Sequence, residues 1–129
     1  MKMSKLKLVS DERREYINQV IADERLFAVI GTTGDISDRV ADMAKALREG
    51  GVSTAEITCR SATWLKHLDA LKRFQVDHDA GVVVAVGTNT DVYSVHQAME
   101  NGAEVIVAAH GLMPYINWGS IPAERGHQW

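Results

Sequence analysis

The sequence predicts an α/β domain in which βα units succeed one another along a parallel sheet, and three observations carry that prediction. Strand-like apolar runs begin near residues 27, 55, 82 and 104, so the unit recurs every 22 to 28 residues. The first three runs are each followed by a segment whose apolar residues fall at helical spacing. The third run, Val82 to Val86, is almost wholly aliphatic, as a strand covered on both faces should be. Residues 1–129 are therefore expected to form one domain of four strands and three complete crossover helices. It would carry a tail over 1–9 and an irregular segment over 112–129.

Taken in order, Ser10 is placed to cap a first helix to about Glu24, with Tyr16, Ile17, Val20 and Ile21 as its apolar stripe. That helix is expected across one end of the sheet. Leu26 to Ile30 reads as a short strand ending in the turn-forming Gly31-Thr32-Thr33-Gly34-Asp35. Ile36, Val40, Met43, Ala44 and Leu47 then recur at helical spacing from an Asp35 or Ser37 cap, and Gly50-Gly51 stops the helix. A second strand over about Ala55 to Arg60 leads to a helix over Ala62 to Phe74, capped by Ser61, with Trp64, Leu65, Leu68 and Leu71 on one face. Gln75 to Gly81 is a polar connection. The third strand opens into Gly87-Thr88-Asn89-Thr90, and Asp91 caps a helix bearing Val92, Val95 and Met99, closed by Gly102. A fourth strand, Val105 to Ala109, ends at His110-Gly111, after which Gly119, Pro122 and Gly126 break the pattern.

With 14 basic against 17 acidic residues, a net charge of −3 and no basic block, the chain is not built to bind nucleic acid or a membrane surface. Lys2, Lys5 and Lys7 read as a solvated tail. No apolar run approaches the roughly 20 residues that a spanning helix needs, and no signal-peptide core is present, so a cytoplasmic location is expected. Cys59 is the only cysteine; it excludes an internal disulfide and reads as a packing residue. The histidines are scattered, with His67 and His96 on helices, His78 in a connection, His127 in the tail and only His110 at a strand end. No metal site and no cofactor are expected.

The chemistry concentrates in Thr54 to Ser61. Alternation along an extended strand sends Glu56, Thr58 and Arg60 to one side and Ile57 and Cys59 to the other. A carboxylate and a guanidinium on the covered side of a parallel sheet need a purpose or a partner, which leaves a functional pair and a structural ion pair as the two readings. In βα repeats the loops after the strands share one rim where ligands bind. That rim collects Thr32, Thr33 and Gly34, then Arg60 and Ser61, then Thr88, Asn89 and Thr90, then His110 and Gly111. Backbone amides there, helped by Arg60, suit a phosphate or carboxylate; the plainer alternative is ordinary turn and cap residues. Gly31 to Gly34 lacks the third glycine of a dinucleotide fingerprint, and no acidic residue ends the second strand.

At these residues the chain resembles the 2-keto-3-deoxy-6-phosphogluconate and 4-hydroxy-2-oxoglutarate aldolases, class I enzymes on a (β/α)8 TIM barrel that generally form trimers. The likeness rests on Glu56-Ile57-Thr58-Cys59-Arg60, matching Glu-x-Thr-x-Arg, and on Met43 to Leu47 with Gly50-Gly51-Val52. It runs from the first helix to about Pro114 and corresponds to the first four βα units, half the barrel. The resemblance implies that Glu56 is the catalytic general acid/base and that Arg60 and Thr88 bind the substrate's anionic and carboxylate groups. Two departures stand out: the family's Gly-x-Gly-Thr reads Ala85-Val86-Gly87-Thr88, and its Ser-Pro-Gly after the fourth strand reads Ala109-His110-Gly111.

Such aldolases work through a Schiff base on a lysine of the sixth strand. The six lysines here are Lys2, Lys5, Lys7, Lys45, Lys66 and Lys72, three in the leading tail and three on covering helices. The expectation is that this polypeptide alone cannot form the covalent intermediate. Three functions then compete. The first is a lyase cleaving a keto acid or phosphorylated sugar acid to pyruvate and an aldehyde, completed by a homo-oligomer or a complementing half-barrel chain. The second is a catalytically incomplete half barrel that binds an anionic ligand. The third is an open flavodoxin-like sheet, which would reverse its strand order where a barrel fragment runs 1-2-3-4.

Overall fold

In the computed structural model, which describes residues 9–31 and 33–108, the chain opens on α1 (Asp11–Glu24). The Ser10 side chain accepts from the Arg13 amide at 3.1 Å, satisfying one of the amides that a helix start leaves without a partner. The Asp91 carboxylate does the same for the Ser94 amide at 2.7 Å, at the start of α4 (Val92–Glu100). Between them run β1 (Ala28–Ile30), α2 (Val40–Glu49), β2 (Thr54–Thr58), α3 (Trp64–Asp77) and β3 (Val83–Asn89), and after α4 comes β4 (Val105–Ala108). All four strands are parallel and lie in the order β1-β2-β3-β4. That order matches successive right-handed crossovers and rules out the reversed, doubly wound sheet.

The sheet is packed on both faces, unequally. On the outer face Ala55, Ile57, Val84, Val86 and Ile106 meet Val40, Ala44, Leu68, Leu71, Val95 and Met99 from α2, α3 and α4. On the other, Val83, Ala85 and Val105 meet Ile17 and Val20 of α1, with Val9, Tyr16, Ile21 and Phe27 packed beside them. α1 is fastened across the start of β3 and β4 by Arg13. Its guanidinium donates to both Glu104 carboxylate oxygens, at 2.6 and 3.1 Å, and to the Ala80 and Val82 carbonyls at 2.6 and 2.7 Å. The Tyr16 hydroxyl adds a bond to the Gly81 carbonyl at 2.6 Å. The first helix thus closes one end of the sheet, as its stripe predicts.

Several boundaries differ from the sequence expectations, each for a local reason. β1 starts at Ala28 because the Leu26 carbonyl is taken by the Thr54 hydroxyl at 2.8 Å. α2 starts at Val40 with no side-chain cap. The Asp35 carboxylate is already bonded to the Ser37 amide at 2.9 Å in a turn, and the Ile36 amide donates to His67 Nε2 at 3.0 Å. β2 ends at Thr58, so Arg60 lies in the turn after the strand and outside its alternation. Ser61 does not cap α3; its hydroxyl accepts from the Thr63 amide at 3.1 Å one turn earlier. α3 runs on to Asp77 and absorbs Gln75, which is buried because its amide donates to the Val82 carbonyl and to Glu104 at 2.8 and 2.7 Å. β3 begins at Val83 and extends through Gly87, Thr88 and Asn89, where a loop was expected. The tail, Thr32, His110, Gly111 and the irregular segment lie outside the described residues.

Candidate functional site

The strand register sets the inner face in rows. Val29, Glu56, Ala85 and Val105 are neighbours across all four strands, and Thr58 lies beside Gly87 one row nearer the rim. Glu56 is therefore on the inner face, as the alternation predicts, in a row whose other members are apolar. It retains 7% exposure, and no described residue gives it a hydrogen bond or a counter-ion. Burial disfavours its charged form and pushes its pKa up from the ordinary 4.5. The side chain lies flat over Gly87: a Cβ built there would fall inside the Glu56 carboxylate, so only glycine leaves room for it.

Beyond Glu56 comes Thr58, which is 3% exposed and whose Oγ1 is buried with no hydrogen-bond partner among the described residues. A hydroxyl in that state is an unmet donor and acceptor on the approach to the carboxylate. Thr58 was legible as an inner-face residue; its unmet hydroxyl was not, because it depends on what faces it across from β1.

Arg60 and Thr88 are both exposed at the rim, one in the turn after β2 and the other near the end of β3. No ion pair joins Arg60 to Glu56 among the described residues, so the structural-pair reading of these two side chains does not hold. Thr88 has φ of 60°, the left-handed region that a β-branched residue rarely enters. Strict alternation would bury it on the helix-covered face with Val84 and Val86; it is exposed instead. The neighbouring loop after β1 is tied down by Asp35. Its bond from the Ser37 amide, with Lys66 and His67 nearby, holds its carboxyl down at about 2. Cys59 packs against the outer cluster, and burial pushes its thiol up to about 12, which makes it a hydrogen-bond donor and no nucleophile. Among the described residues no group of histidine, cysteine and carboxylate side chains could hold a metal, and no helix is long and apolar enough to cross a membrane.

Four parallel strands in sequential order, helices on the outer face and a carboxylate buried on the inner one make one half of an α/β barrel of the aldolase kind. A family model for KDPG and KHG aldolase matches residues 17–118, and the chain belongs to that family. The 4-hydroxy-2-oxoglutarate/2-dehydro-3-deoxyphosphogluconate aldolase from TTHB1 is 28% identical and superposes with a TM-score of 0.56, over 70% of this chain and 41% of its own. The 2-keto-3-deoxy-6-phosphogluconate aldolase of Zymomonas mobilis ZM4, solved with 3-phosphoglycerate, is 28% identical at a TM-score of 0.55, over 71% and 41%. The KDPG aldolase of Legionella pneumophila, solved with pyruvate as a covalent carbinolamine, shares the fold at 23% identity and a TM-score of 0.52, over 64% and 36%. This chain thus spans about two-fifths of the length of the solved structures it matches. Comparison with the curated proteins gives no match.

Proposed function

We propose that this chain supplies the proton-transfer and anion-binding half of an aldolase that releases pyruvate from a 2-keto-3-deoxy-6-phosphogluconate or 4-hydroxy-2-oxoglutarate type substrate. Glu56 is the general acid/base, and Arg60 and Thr88 bind the carboxylate and anionic groups. The observation that carries this reading is the state of Glu56: inner face, nearly closed to water, no counter-ion among the described residues and a pKa raised by burial, the kind of environment that suits a carboxyl group to proton transfer. Arg60 and Thr88 stand at the rim that such a substrate would enter, and the unmet Thr58 hydroxyl lies beneath it.

The nucleophile is the remaining requirement. Cleavage through an imine needs an amine at the keto carbon, and Lys45, Lys66 and Lys72 all sit on helices, with none on a described strand. In this reading the amine comes from further βα units, whether covalently continuous with residue 129 or in another chain. Val29 on β1 and Val107 on β4 are 54% and 38% exposed on the two outermost strands of the sheet, apolar surface suited to meeting those units. The same lysine placement favours a second reading, in which the half barrel binds pyruvate or phosphate and performs no turnover.

Borohydride reduction in the presence of pyruvate, read by intact mass, separates them. The first reading expects an adduct only in an assembly that carries a second half, and loss of turnover but not of the adduct in Glu56→Gln. An adduct on residues 1–129 alone would refute the assignment of the amine to other units. Pyruvate binding without an adduct in any assembly would leave the second reading.

A further inference from the structure

We infer that Asn89 is a positioning residue: its side chain builds the β-bulge that carries Thr88 out of the buried alternation and onto the ligand rim. This rests on the proposed role of Thr88 as a substrate-binding group and adds the device that places it. Along β3 and β4, Val86 is opposite Ile106 and Asn89 is opposite Ala108, so three steps on β3 match two on β4 and one extra residue is looped out. Thr88, with its left-handed φ, lies within that loop, where the regular ladder bonds are interrupted between Val86 and Asn89.

The Asn89 side chain bridges the interruption. Its Nδ2 donates to the Val86 carbonyl at 2.9 Å on its own strand and to the Val107 carbonyl at 3.1 Å on the next. Its Oδ1 accepts from the Cys59 thiol at 3.6 Å, just past the end of β2. Two carbonyls facing one end and a thiol donor facing the other fix which end of the amide is nitrogen. The high Cys59 pKa keeps that proton in place across the working pH range. Meanwhile Gly87 stays in register with β2, its carbonyl accepting from the Cys59 amide at 3.0 Å. One fully buried carboxamide thus ties the ends of three strands while a single residue, Thr88, is put outward. A left-handed β-branched residue is strained and persists only where its surroundings over-determine it, and these three bonds are what over-determine it.

The test uses Asn89→Asp, which keeps the shape but sets an acceptor oxygen in place of the donors against the two carbonyls, Asn89→Leu, which keeps volume without donors, Thr88→Val, and the Asn89→Asp/Thr88→Val double variant. Pyruvate binding is read by calorimetry, folding by thermal melts, and the Thr88 backbone by its amide–Hα coupling in NMR. The expected result is a roughly tenfold loss of pyruvate affinity in Asn89→Asp, the worth of one charge-assisted hydrogen bond, with the double variant no weaker than Thr88→Val alone. Folded Asn89 variants that bind pyruvate like the parent, or losses that simply multiply in the double variant, would overturn it. If Thr88→Val leaves binding unchanged, the substrate role of Thr88 fails on its own. The Asn89 inference is then decided by the NMR coupling, and a left-handed Thr88 retained in Asn89→Asp refutes it. Should Asn89→Asp not fold, the parent decides: slow hydrogen exchange of the Asn89 carboxamide is required, and fast exchange refutes the inference.

Discussion

At the scale of the residue, Glu56, the proposed general acid/base, carries a stability cost whose pH dependence follows from its surroundings. Its pKa is raised by burial, so the folded state holds the proton more tightly than the unfolded one. The resulting stabilisation is complete below the ordinary value of 4.5 and is lost as pH rises through the raised folded value. Glu56→Gln removes the dependence. Its thermal midpoint should exceed that of the parent above neutrality and converge with it in acid; identical midpoints at every pH would mean that the carboxyl is hydrated. Gly87→Ala tests the same site from the other side. The intruding Cβ meets the end of a side chain and no backbone, so the strand should survive at a cost of about 1 kcal/mol in a denaturant titration while Glu56 is displaced. Proton transfer in the assembled enzyme should fall as far as it does in Glu56→Gln.

At the scale of the element, the polar clamp between Arg13 and Glu104 adds to the packing of Ile17 and Val20 in holding α1. Burial pushes Glu104 up, but the Arg13 bonds and charge, with the Val84 amide, outweigh it and hold Glu104 below its ordinary range. This is the reverse of Glu56: stability from Glu104 is present above the unfolded pKa of 4.5 and is lost as pH falls through the lowered folded value. Arg13→Ala leaves a buried carboxylate without its cation. It should cost about 3 kcal/mol in urea denaturation, with a steeper loss above neutrality than in acid, where Glu104 can take a proton. The elements themselves were largely legible. Ser10 and Asp91 announce their helices because a capping side chain acts on amides two or three residues away. The start of α2 was not, because Ile36 fits the helical stripe while its amide is claimed by His67, thirty-one residues on in α3. Gln75 looked like a loop residue for the same kind of reason: its partners are Val82 and Glu104, which only the fold brings to it.

At the scale of the molecule, a sheet with α1 covering only one end of its inner face has apolar edge rows at Val29 and Val107. The proposed association predicts a mass above that of one chain in size-exclusion chromatography with light scattering. Val29→Lys/Val107→Lys should shift it towards the single chain with helix content intact, since a lysine on an edge strand opposes pairing. A folded single chain in the parent would remove self-association as the source of the missing units. The sequence by itself determined the repeat of βα units, the inward-facing acid at position 56, the covering helices and the family, because period, capping and alternation are local and survive without neighbours. Only the tertiary structure decided that β2 stops before Arg60, that Thr88 leaves the strand's alternation and that Glu56 has no counter-ion among the described residues. Each of those depends on a register, a bulge or a desolvated surface shared between strands dozens of residues apart, and no single segment contains that information.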